Sequence, residues 1–265
     1  MKKITGLFVA MLLLLSSCGS VPLTGRRQVL LVSDQEVLSS SLTQYSDYMK
    51  SAKKSSSKDG AAMVTRVGKR IAAATEQYLK NNGLESEIKN FAWEFNLVND
   101  PQVNAFCMPG GKIVVYEGLM QLVSSDDELA VVVGHEVAHA VAKHSNERMS
   151  QQLMAQYGAQ ILGQALSNKS AAVQQIGTSV YGLGAQYGVM LPFSRKHESE
   201  ADYMGLVFMA MAGYNPEVAV NFWQKMSAGK SGSTPEFMST HPSDATRINE
   251  IKRHLPEIEK YRAKK

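Results

Sequence analysis

The spacing of apolar positions changes period several times along the 265 residues. Met63, Val67, Ile71 and Tyr78 recur at roughly helical spacing within 61–80, and Asn81-Asn82-Gly83 stops the run, so the pattern predicts a helix there. The period then shortens. "FAWEFNLV" (91–98) alternates large apolar and polar residues, as a half-buried strand does, and "KIVVYEGL" (112–119) is a second strand candidate. Asn99-Asp100-Pro101 and Pro109-Gly110-Gly111 between them carry turn chemistry. A small antiparallel sheet is therefore expected ahead of residue 126. Ser125-x-x-Glu128 is a capping-box pattern with two aspartates in the first turn, which opens a helix running to about 143. Further helices are expected over 146–166, 171–190, about 196–211 ending at Gly213, from Asn215-Pro216 to about 227, and about 244–262 with Ser243 as its cap. "SAGKSGSTPE" reads as a loop. The fold class is α+β, mostly helical, with one domain over 61–265 and an irregular arm over 18–60 that is helical in part.

Composition adds limits. With 44% hydrophobic and 20% charged residues the chain is globular in type. A net charge of +4 without a basic stripe interleaved with aromatics predicts no nucleic-acid partner. The first residues, "MKKITGLFVAMLLLLSSC", place Lys2 and Lys3 before an apolar run from Ile4 to Leu15 that is too short for a membrane span. Leu15-Ser16-Ser17-Cys18 resembles a bacterial lipobox. The expectation is a signal peptide over 1–17, lipidation of Cys18, and a body tethered to a membrane by that lipid. The address expected with it is the bacterial cell envelope, at the outer membrane facing the periplasm. Cys107 is the one other cysteine and reads as a small buried hydrophobe.

The chemistry concentrates in "VVVGHEVAHAVAKH" (131–144), where an apolar segment carries imidazoles and a carboxylate that burial would penalise unless something pairs with them. In a helix, residues four apart differ by about 40 degrees around the axis, so His135 and His139 share a face and can hold one ion, with Glu136 beside them. This H-E-x-x-H arrangement offers two zinc ligands and a base for the water proton. His144, about 180 degrees round from His135 on a continuous helix, reads as a surface residue. A catalytic zinc needs a third protein ligand and an open position. His197, Glu198, Glu200 and Asp202 in "SRKHESEADYMG" are chemically eligible. Glu198 is favoured because Asp202, one turn along, can orient a ligand imidazole, and Ala201 and Gly205 suit close helix packing. In "THPSDATR" (240–247), His241 is a candidate for stabilising the oxyanion or for occupying the open metal position at rest, and Arg247 is an oxyanion candidate.

These motifs together resemble the HtpX-like and CAAX-prenyl-endopeptidase family of zinc metallopeptidases, metallopeptidase family forty-eight. "PLTGRRQ" and "NAFCMPGGKIVVYEGLM" are similar to its soluble lipoprotein members of the BepA-like and LoiP-like kind, and the resemblance runs from about 22 to 250. It implies a zincin fold of the gluzincin type. It also implies one zinc ion per chain, held by His135, His139 and Glu198, with Glu136 as base and Asp202 behind the ligands. His241 belongs to a His-Pro that the family often places near the metal. The implied function is a lipid-anchored zinc metalloendopeptidase in envelope protein quality control, acting on unfolded or misfolded envelope proteins. The strand at 112–116 is then a candidate for pairing with an extended substrate. Membrane-embedded cleavage of prenylated proteins is not implied, since no later run reaches 18 apolar residues. The rival reading is a lipid-anchored chaperone or assembly factor with a non-catalytic zinc site.

Overall fold

The computed structural model describes residues 18–186, 190–228, 237, 241 and 245–262. The expected signal peptide over 1–17 and the expected cap Ser243 lie outside these residues. The described residues open with an antiparallel pair, β1 (Cys18–Ser20) and β2 (Arg27–Val29), then α1 (Asp34–Ser51), which starts in a complete capping box between Ser33 and Glu36. Next come α2 (Lys58–Asn81), the short α3 (Glu85–Ile88), β3 (Glu94–Val98), β4 (Ala105–Met108), β5 (Lys112–Tyr116) and the short α4 (Glu117–Met120). Then follow α5 (Asp126–Val141), α6 (His144–Leu166), α7 (Ala171–Ala185), α8 (Leu191–Met211), α9 (Val218–Ala228) and α10 (Ala245–Ile258). The mostly helical α+β architecture is as expected. No described helix is both long and apolar enough to cross a membrane.

The sheet differs from the expectation. Its order is β3-β5-β4, with β5 parallel to β3 and antiparallel to β4, so it is mixed rather than antiparallel throughout. The chain reverses twice between β3 and β5, and β4 is the strand formed between the two reversals. Four residues, "AFCM", are too few to show a period, which hid β4 in the sequence. The central place of β5 also corrects its expected use. Both of its edges are occupied, so residues 112–116 cannot pair with a substrate, whereas β4 lies at the edge of the sheet.

The arm is ordered and packed on the domain. Val21 joins the main core, and α1 lies against β4, where Ser41 Oγ donates to the Pro109 carbonyl at 3.0 Å. The core centres on α5. From Leu129 to Ala138 every residue of this helix is buried, as expected for a helix apolar on most sides. Its closest neighbour is α8. A Cβ on Gly134 would come within 2.7 Å of the Gly205 carbonyl oxygen, and one on Gly205 within 2.7 Å of the His135 amide nitrogen. The two helices therefore cross backbone to backbone. That contact sets Glu198 and Asp202 over His135.

Candidate metal centre

α5 carries His135 and His139 one turn apart, and α8 carries Glu198 across from them. Donor atoms of His135, His139, Glu198 and His241 all lie within 4.8 Å of one another. His135 Nε2 is 3.0 Å from His139 Nε2, 3.2 Å from His241 Nδ1 and 3.3 Å from Glu198 Oε2. His139 Nε2 is 3.5 Å from Glu198 Oε1. Tetrahedral zinc with bonds of roughly 2.0–2.1 Å spaces its ligand atoms at about 3.3 Å, so the donor set fits such an ion in chemistry and spacing. Electrostatics agree. Burial would raise Glu198, but hydrogen bonds with His135 and His241 hold its carboxyl far below the usual range. Burial acts against a charged His135, yet Asp202 and Glu198 outweigh it and push the group up to about 9. The carboxylates draw positive charge into the space between the donors. Burial takes His139 the other way, well below its ordinary value.

Glu136 lies beside this set, 2% exposed, and burial raises its carboxyl above the ordinary value. The Cys107 amide of β4 donates to Oε2 at 3.1 Å. Oε1 is buried without a hydrogen-bond partner among the described residues, with His241 Nε2 3.5 Å away. Cys107 was expected to be a small buried hydrophobe; it is half-buried, and desolvation pushes its thiol well above its usual range. His241 stacks on Phe237 at 4.5 Å between ring centres, and its amide donates to the Phe237 carbonyl.

Asp202 pairs with His135 Nδ1 at 3.0 Å on the side away from the donors. Arg247 is buried against it, bonded through Nε to Oδ2 and through NH2 to Oδ1 at 2.8 Å. NH1 of Arg247 also lies 3.3 Å from Glu198 Oε2 and donates to the His241 carbonyl at 3.2 Å. Trp223 covers the guanidinium at 4.5 Å from its ring centre.

His144 is not at the surface. It is 2% exposed, and burial holds it down to about 4. The helix containing His135 ends at Val141, and Lys143 takes a left-handed conformation at φ 57° before α6 starts. The break invalidates angular arithmetic across it, and the turn brings His144 Nδ1 within 2.8 Å of His139 Nδ1. Lys143 is held in that turn by Asp34 at 2.6 Å and Glu87 at 2.8 Å. Glu200, the rival third ligand, faces away from the donor set. It meets His144 Nε2 at 3.0 Å and Arg26 Nε at 2.8 Å, and accepts from the Thr24 hydroxyl. His197, another eligible ligand, pairs with Glu147 at 2.9 Å. Thr24, Arg26, Glu147 and the Cys107 amide were not legible as site groups. They come from three separate segments, the β1–β2 connection, β4 and α6, which only the tertiary fold brings together.

A model of the family described as Peptidase family M48 matches residues 64–255. The chain is 36% identical over 205 residues to the mitochondrial metalloendopeptidase OMA1 of Schizosaccharomyces pombe, covering 74% of this chain and 53% of that protein. It is 40% identical over 168 residues to OMA1 of Arabidopsis thaliana, covering 63% and 33%. It is 33% identical over 174 residues to the beta-barrel assembly-enhancing protease of Yersinia pestis, covering 61% and 36%. The chain thus spans about half or less of the length of these relatives. They correct the expected bacterial-envelope address, because relatives from yeast and plant are named as mitochondrial proteins. The expectation rested on residues 1–18 alone, and a short charged and apolar stretch is not by itself an address. With the family model matching most of its length, the chain belongs to peptidase family M48.

Proposed function

We propose that the protein is a zinc metalloendopeptidase in which His135, His139 and Glu198 hold one zinc ion and Glu136 is the general base. One observation carries this reading. A buried carboxylate beside the donor set has one oxygen fixed by the Cys107 amide and the other without a hydrogen-bond partner among the described residues. A purely structural metal site has no use for such a group, which disfavours a chaperone with a non-catalytic ion. Zinc, when bound, supplies Lewis acidity that makes water nucleophilic near neutral pH and polarises a peptide carbonyl. Glu136 Oε1 takes the water proton and returns it to the leaving amine, while Cys107 holds the carboxylate in one orientation. Asp202 keeps the His135 proton on Nδ1 and its lone pair on Nε2. Arg247 balances Asp202 and Glu198, a role its buried contacts suit better than reaching an oxyanion. His241 takes the fourth donor place and so acts as a resting gate.

The substrate is an extended polypeptide, which suits unfolded proteins because backbone pairing tolerates many sequences. It runs along the edge strand β4 in the groove facing α1, lined by Val37, Ser41, Gln44, Phe106, Met108 and Met149. The test is Glu136→Gln. Zinc content should equal wild type while hydrolysis of an unfolded protein falls by about 10²–10⁴-fold. Near-normal turnover in the zinc-loaded variant would remove Glu136 as the base.

A further inference from the structure

Behind the donor set lies a second group of buried polar side chains that the mechanism above does not use. His144, Glu147, His197 and Glu200 are each 8% exposed or less. The rings of His144 and His197 stack at 4.1 Å between centres, 14° apart. Arg26, from the connection between β1 and β2, reaches into the group with a bidentate pair to Glu147 at 2.9 and 2.7 Å and a third bond to Glu200. Thr24 from the same connection donates to the other oxygen of Glu200.

The proton positions in this group follow from the zinc reading, on which the inference rests. A ligand imidazole presents a lone pair, so His139, with Nε2 towards the other donors, carries its proton on Nδ1. Nδ1 faces His144 Nδ1, which must then accept. A neutral His144 carries its own proton on Nε2, facing Glu200 Oε2, and a carboxylate accepts it. Every proton has one place consistent with both hydrogen bonds. His135 needs no such intermediate, because Asp202 touches its Nδ1 directly. No carboxylate is bonded to His139 Nδ1 among the described residues, and His144 spans that gap to Glu200.

We propose that Thr24 and Arg26 of the N-terminal hairpin belong to the metal site as positioning residues: they hold Glu200, Glu200 orients His144, and His144 fixes His139 with Nε2 towards the metal. Zinc affinity is thereby linked to docking of the hairpin, and by reciprocity zinc tightens the hairpin. A group serving only to fill space would not need this much buried polarity, since apolar side chains fill the same volume without the cost of desolvating charge.

The experiment measures zinc affinity by chelator competition on the full chain, with far-ultraviolet circular dichroism to confirm folding. Partners behind a metal ligand typically change affinity by about 10–100-fold. His144→Phe should weaken zinc by that amount. His144→Asn, whose Oδ1 sits near the place of Nδ1 and can accept from His139, should recover part of the loss. Arg26→Gln and Thr24→Val lie on the partly exposed hairpin, so the core keeps its packing. Combined, they should weaken zinc by about 10-fold. In ¹⁵N-histidine spectra of the wild type, His144 should carry its proton on Nε2, a signature that space-filling alone would not set. Wild-type zinc affinity in a folded His144→Phe protein, or a proton on His144 Nδ1, would overturn the relay. Wild-type affinity in the hairpin double variant would remove Thr24 and Arg26 from the site. Wild-type protein that binds no zinc would overturn the metal reading itself, and the inference with it.

Discussion

His135 and His139 lie one turn apart on α5 and bring their Nε2 atoms within 3.0 Å of each other, yet their Nδ1 atoms face different surroundings. His135 meets Asp202 directly, and Arg247 of α10 neutralises that carboxylate. His139 meets another imidazole, and its carboxylate lies one residue further out, held by the N-terminal hairpin. Two positions that are equivalent within the motif thus depend on opposite ends of the chain. A ligand motif specifies which nitrogens can meet. It does not specify what holds each ring, and the holding is what tunes a metal site.

The largest expected effect breaks the element that both imidazoles share. Glu198 contacts both rings, whereas Glu200, two residues on, serves only the His139 side. Glu198→Ala should lose zinc far beyond the ~10–100-fold expected of Glu200→Ala. Metal analysis after dialysis checks this, and equal retention in the two variants would reverse the assignment. A smaller effect concerns the gate. If His241 fills the fourth place in nine molecules of ten, His241→Ala should raise hydrolysis of an unfolded substrate roughly tenfold. A fall of about 10²–10³-fold, with zinc unchanged, would instead make His241 an oxyanion donor.

The smallest effect sharpens the comparison without metal. Burial opposes a charged Glu147, but bonds with His197 and Arg26 hold its carboxyl down to about 2. A carboxyl lowered on folding contributes stability above its unfolded value, about 4.3, and loses it as pH falls towards the folded value. Arg26 is partly exposed, so the contribution is on the order of 1–2 kcal/mol. Urea midpoints of metal-free protein between about pH 4.5 and 2.5 should fall less steeply in Glu147→Gln than in wild type. Parallel profiles would mean that the Arg26 pair adds nothing to folding.

Much of the helical frame was legible because it is local. Helix α5 follows from Ser125, Glu128 and an apolar run, and its observed end at Val141 lies close to the expected one. β4 was not legible, because four residues carry no period and its identity comes from pairing with β5. His144 was misread because a single left-handed residue, Lys143, turns the chain between two helices. Nothing within "AKH" requires that turn. Its ion pairs with Asp34 and Glu87, both distant in sequence, hold it.

The sequence by itself determined the donor types and their spacing: two imidazoles and a carboxylate on one helical turn, and a second carboxylate with its partner one turn apart on another. Helical geometry is fixed within a few residues, so such spacing is readable. Only the tertiary structure decided which carboxylate faces the donors, that His241 joins them, and that Thr24 and Arg26 stand behind His139. Glu198 and Glu200 differ by about 200 degrees around α8, and the glycine contact between α5 and α8 turns one towards the imidazoles and the other towards the hairpin. That choice is made where two helices meet, and no single stretch of chain contains it.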